Sequence, residues 1–126
     1  MNNSRILPPL GKSFVRNADA ELTVITHVEG KPLGSGVELR TLAVTPQMVF
    51  VECRFTKGQA SKPHQHPDHD SIVYVVSGKV KVTIEDREFI AGPGDAWYNE
   101  PGVMHHIEAL EDSVSVEVKS PPVKAW

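Results

Sequence analysis

Glycine and proline punctuate this chain at short intervals, and their spacing limits what the chain can fold into. Ten prolines and nine glycines fall within 126 residues, and the stretches between them are β-branched and alternating rather than helical in period. Short apolar stretches between turn-forming residues are typical of β-strands. We therefore predict an all-β chain with little or no helix, whose nine strands cover residues 22–28, 37–44, 49–55, 72–76, 80–84, 89–91, 96–99, 105–110 and 114–118.

The length of the chain and the strand pattern predict one domain. A chain of 126 residues suits a single hydrophobic core. Residues 1–20 are polar and carry Pro8, Pro9 and Gly11, so we predict an N-terminal arm there and a single barrel over residues 21–126. An antiparallel barrel or two-sheet jelly roll is expected, because closing a sheet leaves few exposed strand edges.

The charge and cysteine content exclude several classes of partner. A net charge of −3 argues against nucleic acid and against an anionic membrane surface. No stretch approaches the ~18 apolar residues that a membrane span needs, and the N-terminus lacks an apolar core of signal-peptide length. Cys53 is the single cysteine and lies on an alternating apolar face, which predicts a core residue. These features together predict a cytoplasmic protein.

Two groups of histidines are the strongest chemical signal. His64 and His66 are two residues apart, and positions i and i+2 of an extended chain point to the same side. His105 begins a later predicted strand, just after the turn at residues 101–104. Three imidazoles on one face hold a metal ion and leave positions open for water or substrate. The adjacent His106 is expected to face away from the site.

The order of these residues resembles the two motifs of the cupin superfamily. The segment 58–78 is similar to G-x5-H-x-H-x3,4-E-x6-G, and the segment 94–105 is similar to the start of G-x5-P-x-G-x2-H-x3-N, whose asparagine is replaced here by Ala109. The segments 109–113 and 118–122 look like the tail of small single-domain cupins of the pectin-degradation and polyketide-cyclase types. The resemblance implies a cupin jelly roll, a homodimer and one divalent transition metal ion, with Zn, Ni, Mn and Fe as the candidates.

The fourth ligand position is where the chain departs from the motif. The position of the motif glutamate falls on Ser71 when it is counted back from Gly78, and on Asp70 when it is counted forward from His66 with the shorter spacing of the motif. Serine is a poor ligand for a divalent ion, whereas Asp70 has suitable chemistry but needs a local bulge to turn inward. We include Asp70 with His64, His66 and His105 in the predicted ligand set. Water and His69 are the alternatives for the fourth position.

The function predicted from these features is that of a small metal-dependent enzyme. The resemblance implies an isomerase or cyclase acting on a carbonyl- or enol-containing small molecule, such as an unsaturated uronate sugar that is linearised. An iron-dependent dioxygenase uses the same three-histidine face, and a non-enzymatic cupin that binds a metabolite or sugar is the third possibility. No catalytic residue is singled out, because Glu52 and Arg54, which share one strand face, are expected to lie in solvent.

Overall fold

Nine antiparallel strands build the fold in the computed structural model, which describes residues 5–126. They are β1 (Glu21–Val28), β2 (Lys31–Val44), β3 (Val49–Phe55), β4 (Asp70–Ser77), β5 (Val80–Ile84), β6 (Arg87–Ala91), β7 (Ala96–Asn99), β8 (His105–Ala109) and β9 (Ser113–Ser120). Within the described residues, the helical content is the short 3₁₀ turn Asn17–Asp19. The all-β prediction is confirmed, and every predicted strand overlaps an observed one. The main difference is β2, which begins six residues earlier than predicted because the strand runs through Gly34 and Gly36.

The strands form two sheets, and residues from both sheets line one cavity. The larger sheet has the order β1-β2-β3-β9-β4-β7, and the smaller has the order β6-β5-β8. The segment between β3 and β4 crosses to the small sheet through two isolated bridges, Ala60 with Glu108 and His64 with His105. This crossing brings the two histidine groups of the sequence together.

Two apolar clusters support the cavity. One lies on the inner face of β1–β3 and contains Ile25, Val37, Leu39, Val44, Val49, Val51 and Cys53. The other joins β4, β5 and β6 through Val75, Val80, Val82 and Ala91. Burial in the first cluster confirms the prediction that Cys53 is a core residue, and it raises the pKa of the Cys53 thiol to about 12. The thiol is therefore protonated and unreactive at neutral pH.

The turn between β4 and β5 requires glycine. Gly78 has a φ of 91°, in the left-handed region that residues with a Cβ rarely adopt. A Cβ there would clash with the carbonyl oxygen of Asp112. The tight approach of this turn to the β8–β9 turn therefore depends on the missing side chain.

The N-terminal arm pairs with the C-terminal tail. Ile6 bridges Val123, and the amide of Leu7 donates to the carbonyl of Pro122 at 2.9 Å. The first four residues of the predicted arm lie outside the described residues, and its division from the barrel stays a prediction. Over residues 5–126, no helix is long and apolar enough to cross a membrane.

Candidate metal centre

Backbone hydrogen bonds position the three histidines of the predicted site. The amides and carbonyls of His64 and His105 bond each other reciprocally, at 3.0 and 2.8 Å. The amide of Gly102, in the turn before His105, donates to the carbonyl of His66 at 2.9 Å. The two motif segments are thus joined to each other through their own main chain. Their histidines are held together by backbone geometry as well as by side-chain packing.

The three rings converge inside the protein. One ring nitrogen from each of His64, His66 and His105 lies within 4.8 Å of the corresponding nitrogens of the other two. The ring centroids are 4.4 Å apart for His64 and His105, and 4.8 Å apart for His66 and His105. All three residues are buried, with relative exposures of 2–6%. A separation of this size suits nitrogen ligands arranged around one ion at about 2.0–2.1 Å each.

The partners of Nδ1 determine which ring nitrogen is available. Nδ1 of His64 lies 2.7 Å from the carbonyl oxygen of Lys62, and Nδ1 of His105 lies 3.1 Å from that of Val103. A carbonyl only accepts hydrogen bonds, so both Nδ1 atoms carry the proton. Nδ1 of His66 lies 2.8 Å from a carboxylate oxygen of Glu29. In a neutral ring with Nδ1 protonated, the lone pair is on Nε2, where a metal ion can bind it.

Burial keeps these rings neutral. Desolvation lowers the pKa of His66 to about 2 and that of His105 to about 4, and it lowers the pKa of His64 in the same direction. A metal ligand has to be deprotonated, and at neutral pH these three imidazoles are. The donor type, the tautomer and the protonation state therefore all fit a first-row transition metal ion.

The fourth predicted ligand is not brought to the three histidines. The exposed Asp70 accepts a hydrogen bond from the Tyr98 hydroxyl. His69 is buried beside His66, with ring centroids 4.4 Å apart, and bonds Asp68 through Nδ1. It forms a second potential group with Glu29 and His66 rather than joining the first. His106 is half-buried and outside both groups.

Ser71, the other candidate for the motif glutamate position, is hydrogen-bonded to a carboxylate on the neighbouring strand. Its hydroxyl donates to Glu117 of β9, and the Asn99 amide lies 3.5 Å from the same hydroxyl oxygen. Burial raises the pKa of Glu117, but the nearby Lys119 ammonium and the Ser71 hydrogen bond outweigh it and hold the pKa below its usual value. Glu117 is therefore an ionised carboxylate next to the histidines at neutral pH.

Lys119 is a second charged group on this inner face. It is 4% exposed, and its ammonium lies 5.0 Å from the centroid of the Trp126 ring. Among residues 5–126, no carboxylate oxygen lies within 4.0 Å of that ammonium. A buried ammonium is costly to desolvate, so its place in the wall of a cavity indicates a role toward a ligand.

These groups line one cavity. The cavity has a volume of about 90 Å³, and its wall includes the three histidines, Glu117, Lys119 and Asn99, together with apolar side chains from both sheets. A single water needs about 10–15 Å³ of such volume, so the cavity accommodates a small molecule or part of one. An apolar wall with a few converging polar groups is typical of small-molecule sites.

Sequence reasoning missed Glu117, Lys119 and Glu29. The two charged residues of β9 are two apart and alternate with Val116 and Val118, and this spacing could have indicated a polar strand face directed inward. Glu29 carries no local signal, because it reaches His66 across 37 positions of the chain. Glu52 and Arg54 lie on the outer face and form an ion pair at 3.0 Å. Arg54 is exposed as expected, whereas the Glu52 side chain is only 12% exposed, because Arg54 and the Asn17 amide of the arm cover it.

Comparison with known proteins agrees with the fold. Residues 51–118 match the cupin domain family Cupin_2. The chain is 34% identical over 90 residues to the Pectin degradation protein KdgF of Dickeya dadantii (strain 3937), covering 71% of this chain and 82% of that protein. It is 35% identical over 81 residues to the oxalate decarboxylase OxdC of Bacillus subtilis (strain 168), covering 60% of this chain and 21% of the enzyme.

A solved structure extends the comparison to most of the chain. The structure of KdgF from Halomonas sp. is similar with a TM-score of 0.75 at 33% sequence identity, covering 86% of this chain and 94% of that one. The predicted cupin fold is thereby confirmed. The family match covers more than half of this chain, and the chain covers most of the length of the Dickeya dadantii relative. This chain therefore belongs to the cupin family.

Proposed function

We propose that this cupin is a metal-dependent enzyme of the isomerase type, which moves a proton on a carbonyl- or enol-containing small molecule. The observation that carries the proposal is the ionised Glu117 carboxylate in the wall of the cavity that the three histidines also line. His64, His66 and His105 hold one divalent ion, and Zn, Ni, Mn and Fe all suit imidazole ligands. The bound ion supplies Lewis acidity to an oxygen of the substrate.

Glu117 is the proton-transferring group in this proposal. The Ser71 hydroxyl orients its carboxylate, and Lys119 helps to keep it ionised. With an unsaturated cyclic sugar acid, Glu117 accepts the proton of the hemiacetal hydroxyl as the ring C–O bond breaks, which gives an aldehyde and an enolate. Return of the proton from Glu117 to the enolate carbon gives a ketone, so the overall reaction is an isomerisation without an oxidant or reductant.

Lys119 contributes to substrate binding. Its ammonium is in the cavity wall and has no carboxylate partner within 4.0 Å among the described residues, so its donors are available to an anionic group of the substrate. A charged hydrogen bond in a desolvated site contributes about 1.5–3 kcal/mol. A sugar acid related to pectin degradation is therefore the first substrate to test, because the relative from Dickeya dadantii is a pectin degradation protein.

The test combines metal content with an assay. Tag-free protein is analysed for metal as purified and after loading with Zn, Ni, Mn or Fe. It is then mixed with the unsaturated galacturonate monomer while the ultraviolet absorbance of the conjugated double bond of the substrate is followed. We expect about one ion per chain and a loss of absorbance that depends on the ion. Oxygen consumption with the iron form would instead support the dioxygenase, and failure to take up any of the four metals would support a non-enzymatic binding protein.

Histidine variants test the ligand set. His64→Ala and His105→Ala should each lose most of the bound metal, whereas His106→Ala should keep it, because neighbouring residues on a strand point to opposite faces. Equal losses from His105→Ala and His106→Ala would contradict this assignment. The fourth position is tested by Asp70→Ala, which should leave metal affinity unchanged if water completes the site and lower it about tenfold or more if Asp70 is a ligand.

We further propose that two copies of the chain associate through the outer face of β4, β7, β9 and part of β3. Strand pairing aligns Phe50, Val118, Ile72 and Tyr98 in one row across this face. Ile72, Tyr74, Val76 and Tyr98 are each 46–49% exposed. A contiguous apolar face of this kind is unusual on a monomer, and a two-fold axis through it would bury the same residues on both copies.

Light scattering and sedimentation test the homodimer. Ile72→Lys should shift the protein toward monomer, and Ile90→Lys on the small sheet, which replaces a residue that is 59% exposed, is the matched control. A wild-type monomer at high concentration would contradict the proposal. A cytoplasmic location is proposed as well, and the single buried thiol of Cys53 supports it.

A further inference from the structure

The three histidines differ in what holds their second nitrogen. His64 and His105 bond neutral carbonyls two residues away in their own loops. His66 instead bonds the Glu29 carboxylate at 2.8 Å, in the turn between β1 and β2. A carboxylate is a stronger acceptor than a carbonyl, and it makes the imidazole a better electron donor to a metal ion.

Glu29 is itself held by three segments of the chain. Its backbone has a φ of 50° in the β1–β2 turn, and its amide donates to the carbonyl of Ala125 in the C-terminal tail at 2.7 Å. Its two carboxylate oxygens both accept from Nη2 of Arg5, at 2.9 and 2.8 Å. The Glu29 side chain is only 11% exposed, so these contacts are shielded from solvent.

Arg5 belongs to the N-terminal arm. Its carbonyl accepts from the amide of Lys124 at 2.7 Å, and its Nε donates to the carbonyl of the same residue at 3.3 Å. The other guanidinium nitrogen, Nη1, lies 3.5 Å from Asp68, the partner of His69. The arm is therefore fixed to the tail and connected by charge to the two carboxylates that bond His66 and His69.

We propose that Glu29 is a positioning residue for His66 and that Arg5 anchors it, which makes the N-terminal arm part of the metal centre. Glu29 accepts the Nδ1 proton of His66, fixes the ring and leaves Nε2 for the ion. The inference rests on metal binding by the three histidines. A second ion held by Glu29, His66 and His69 is disfavoured, because the Arg5 guanidinium already bonds both oxygens of Glu29 and would repel it.

Metal affinity is the first measurement. Competition titrations with a zinc-binding dye compare wild type with Glu29→Gln and Arg5→Met, and with the controls Glu38→Gln and Arg16→Met on exposed positions outside the site. Glu29→Gln should bind zinc 10- to 100-fold more weakly, Arg5→Met should lose less in the same direction, and the controls should match wild type. An unchanged affinity in folded Glu29→Gln overturns the positioning role.

A second measurement separates positioning from a general structural effect. Long-range ¹H–¹⁵N spectra of the metal-free protein report which nitrogen of each histidine carries the proton. We expect Nδ1–H for all three in wild type, and a change confined to His66 in Glu29→Gln. A wild-type His66 protonated on Nε2 overturns the proposal. A wild-type chain that takes up no zinc overturns the metal centre itself, which distinguishes the two failures.

Discussion

Strands β3 and β9 are hydrogen-bonded neighbours that use their two faces in opposite ways. On β3 the inner face is apolar, with Val49, Val51 and Cys53, and the outer face carries the Glu52–Arg54 ion pair. On β9 the inner face is formed by the polar residues Ser113, Ser115, Glu117 and Lys119, and the outer face by the half-buried valines Val114, Val116 and Val118. Pairing places Val51 directly opposite Glu117 and Val49 opposite Lys119.

The contrast separates residues that stabilise the fold from residues that we propose act on a ligand. Burying a carboxylate or an ammonium costs free energy that burying valine does not. The inner face of β9 is therefore expensive for stability, and β3 compensates by supplying the apolar core beside it. On the outer side the relation reverses, since β3 carries the charged Glu52–Arg54 pair, and the valines of β9 continue into the apolar face proposed for the homodimer.

The largest expected effect is at Glu117. Glu117→Gln keeps the shape of the side chain and its hydrogen bond to Ser71 but removes the base, so turnover should fall on the order of 100-fold or more. Metal content should stay at the wild-type value, because the proposed ligands are His64, His66 and His105 and do not include Glu117. Steady-state kinetics and elemental analysis measure both.

Glu52→Gln is the matched control for this change. Glu52 lies on the outer face of β3, where it pairs with Arg54, and the substitution should leave kcat and KM unchanged. If Glu117→Gln is as active as Glu52→Gln, Glu117 does not transfer the proton. The inner faces of β3 and β9 then differ in packing only.

The next effect is at Lys119. Lys119→Met keeps the apolar stem and removes the charge, so KM for an anionic substrate should rise roughly tenfold or more, the equivalent of one charged hydrogen bond. Lys119 also lowers the pKa of Glu117. Without it that pKa rises, protonation of the base begins at higher pH, and the acidic limb of the rate profile moves upward.

Arg54→Met on the outer face of β3 should change neither KM nor the pH profile. If Lys119→Met leaves both the KM for the acid and the preference for the acid over a neutral sugar unaltered, the ammonium does not bind substrate. Its role is then to pack against Trp126.

The sequence was sufficient for the strands and the three histidines, and insufficient for the two faces of β9. Turn residues and alternation mark where strands begin and end, and the spacing of His64 and His66 on one side of the chain is a local property. Alternation alone does not say which face is buried, and the usual rule would direct Val116 inward. Glu29 could not be predicted, because its contact with His66 depends on the packing of the arm and tail.

A smaller effect is expected on the free energy of unfolding when the inner faces of β3 and β9 are compared. Val51→Ala should lower the free energy of unfolding by about 2 kcal/mol, since Val51 is fully buried in the core of β1–β3 and its loss leaves a cavity. Ser115→Ala, at the equivalent depth on β9, should cost less than about 0.5 kcal/mol, because the serine side chain has no protein hydrogen-bond partner among residues 5–126. Denaturant unfolding of the metal-free proteins measures both.

The smallest effect is expected on the outer face of β9, where Val116→Thr replaces a half-buried valine with a residue of nearly the same shape and β-propensity. In the dilute, monomeric protein its side chain borders solvent, so the hydroxyl stays hydrated and the free energy of unfolding should change by less than about 0.5 kcal/mol.

At concentrations where copies associate, the same hydroxyl becomes buried without a partner, and dimer affinity should fall measurably. Denaturant unfolding at low protein concentration and sedimentation at high concentration therefore report the two states separately. A loss of stability in the monomer as large as that of Val51→Ala would mean that the outer valines of β9 belong to the core, which would contradict the opposition between the two strands.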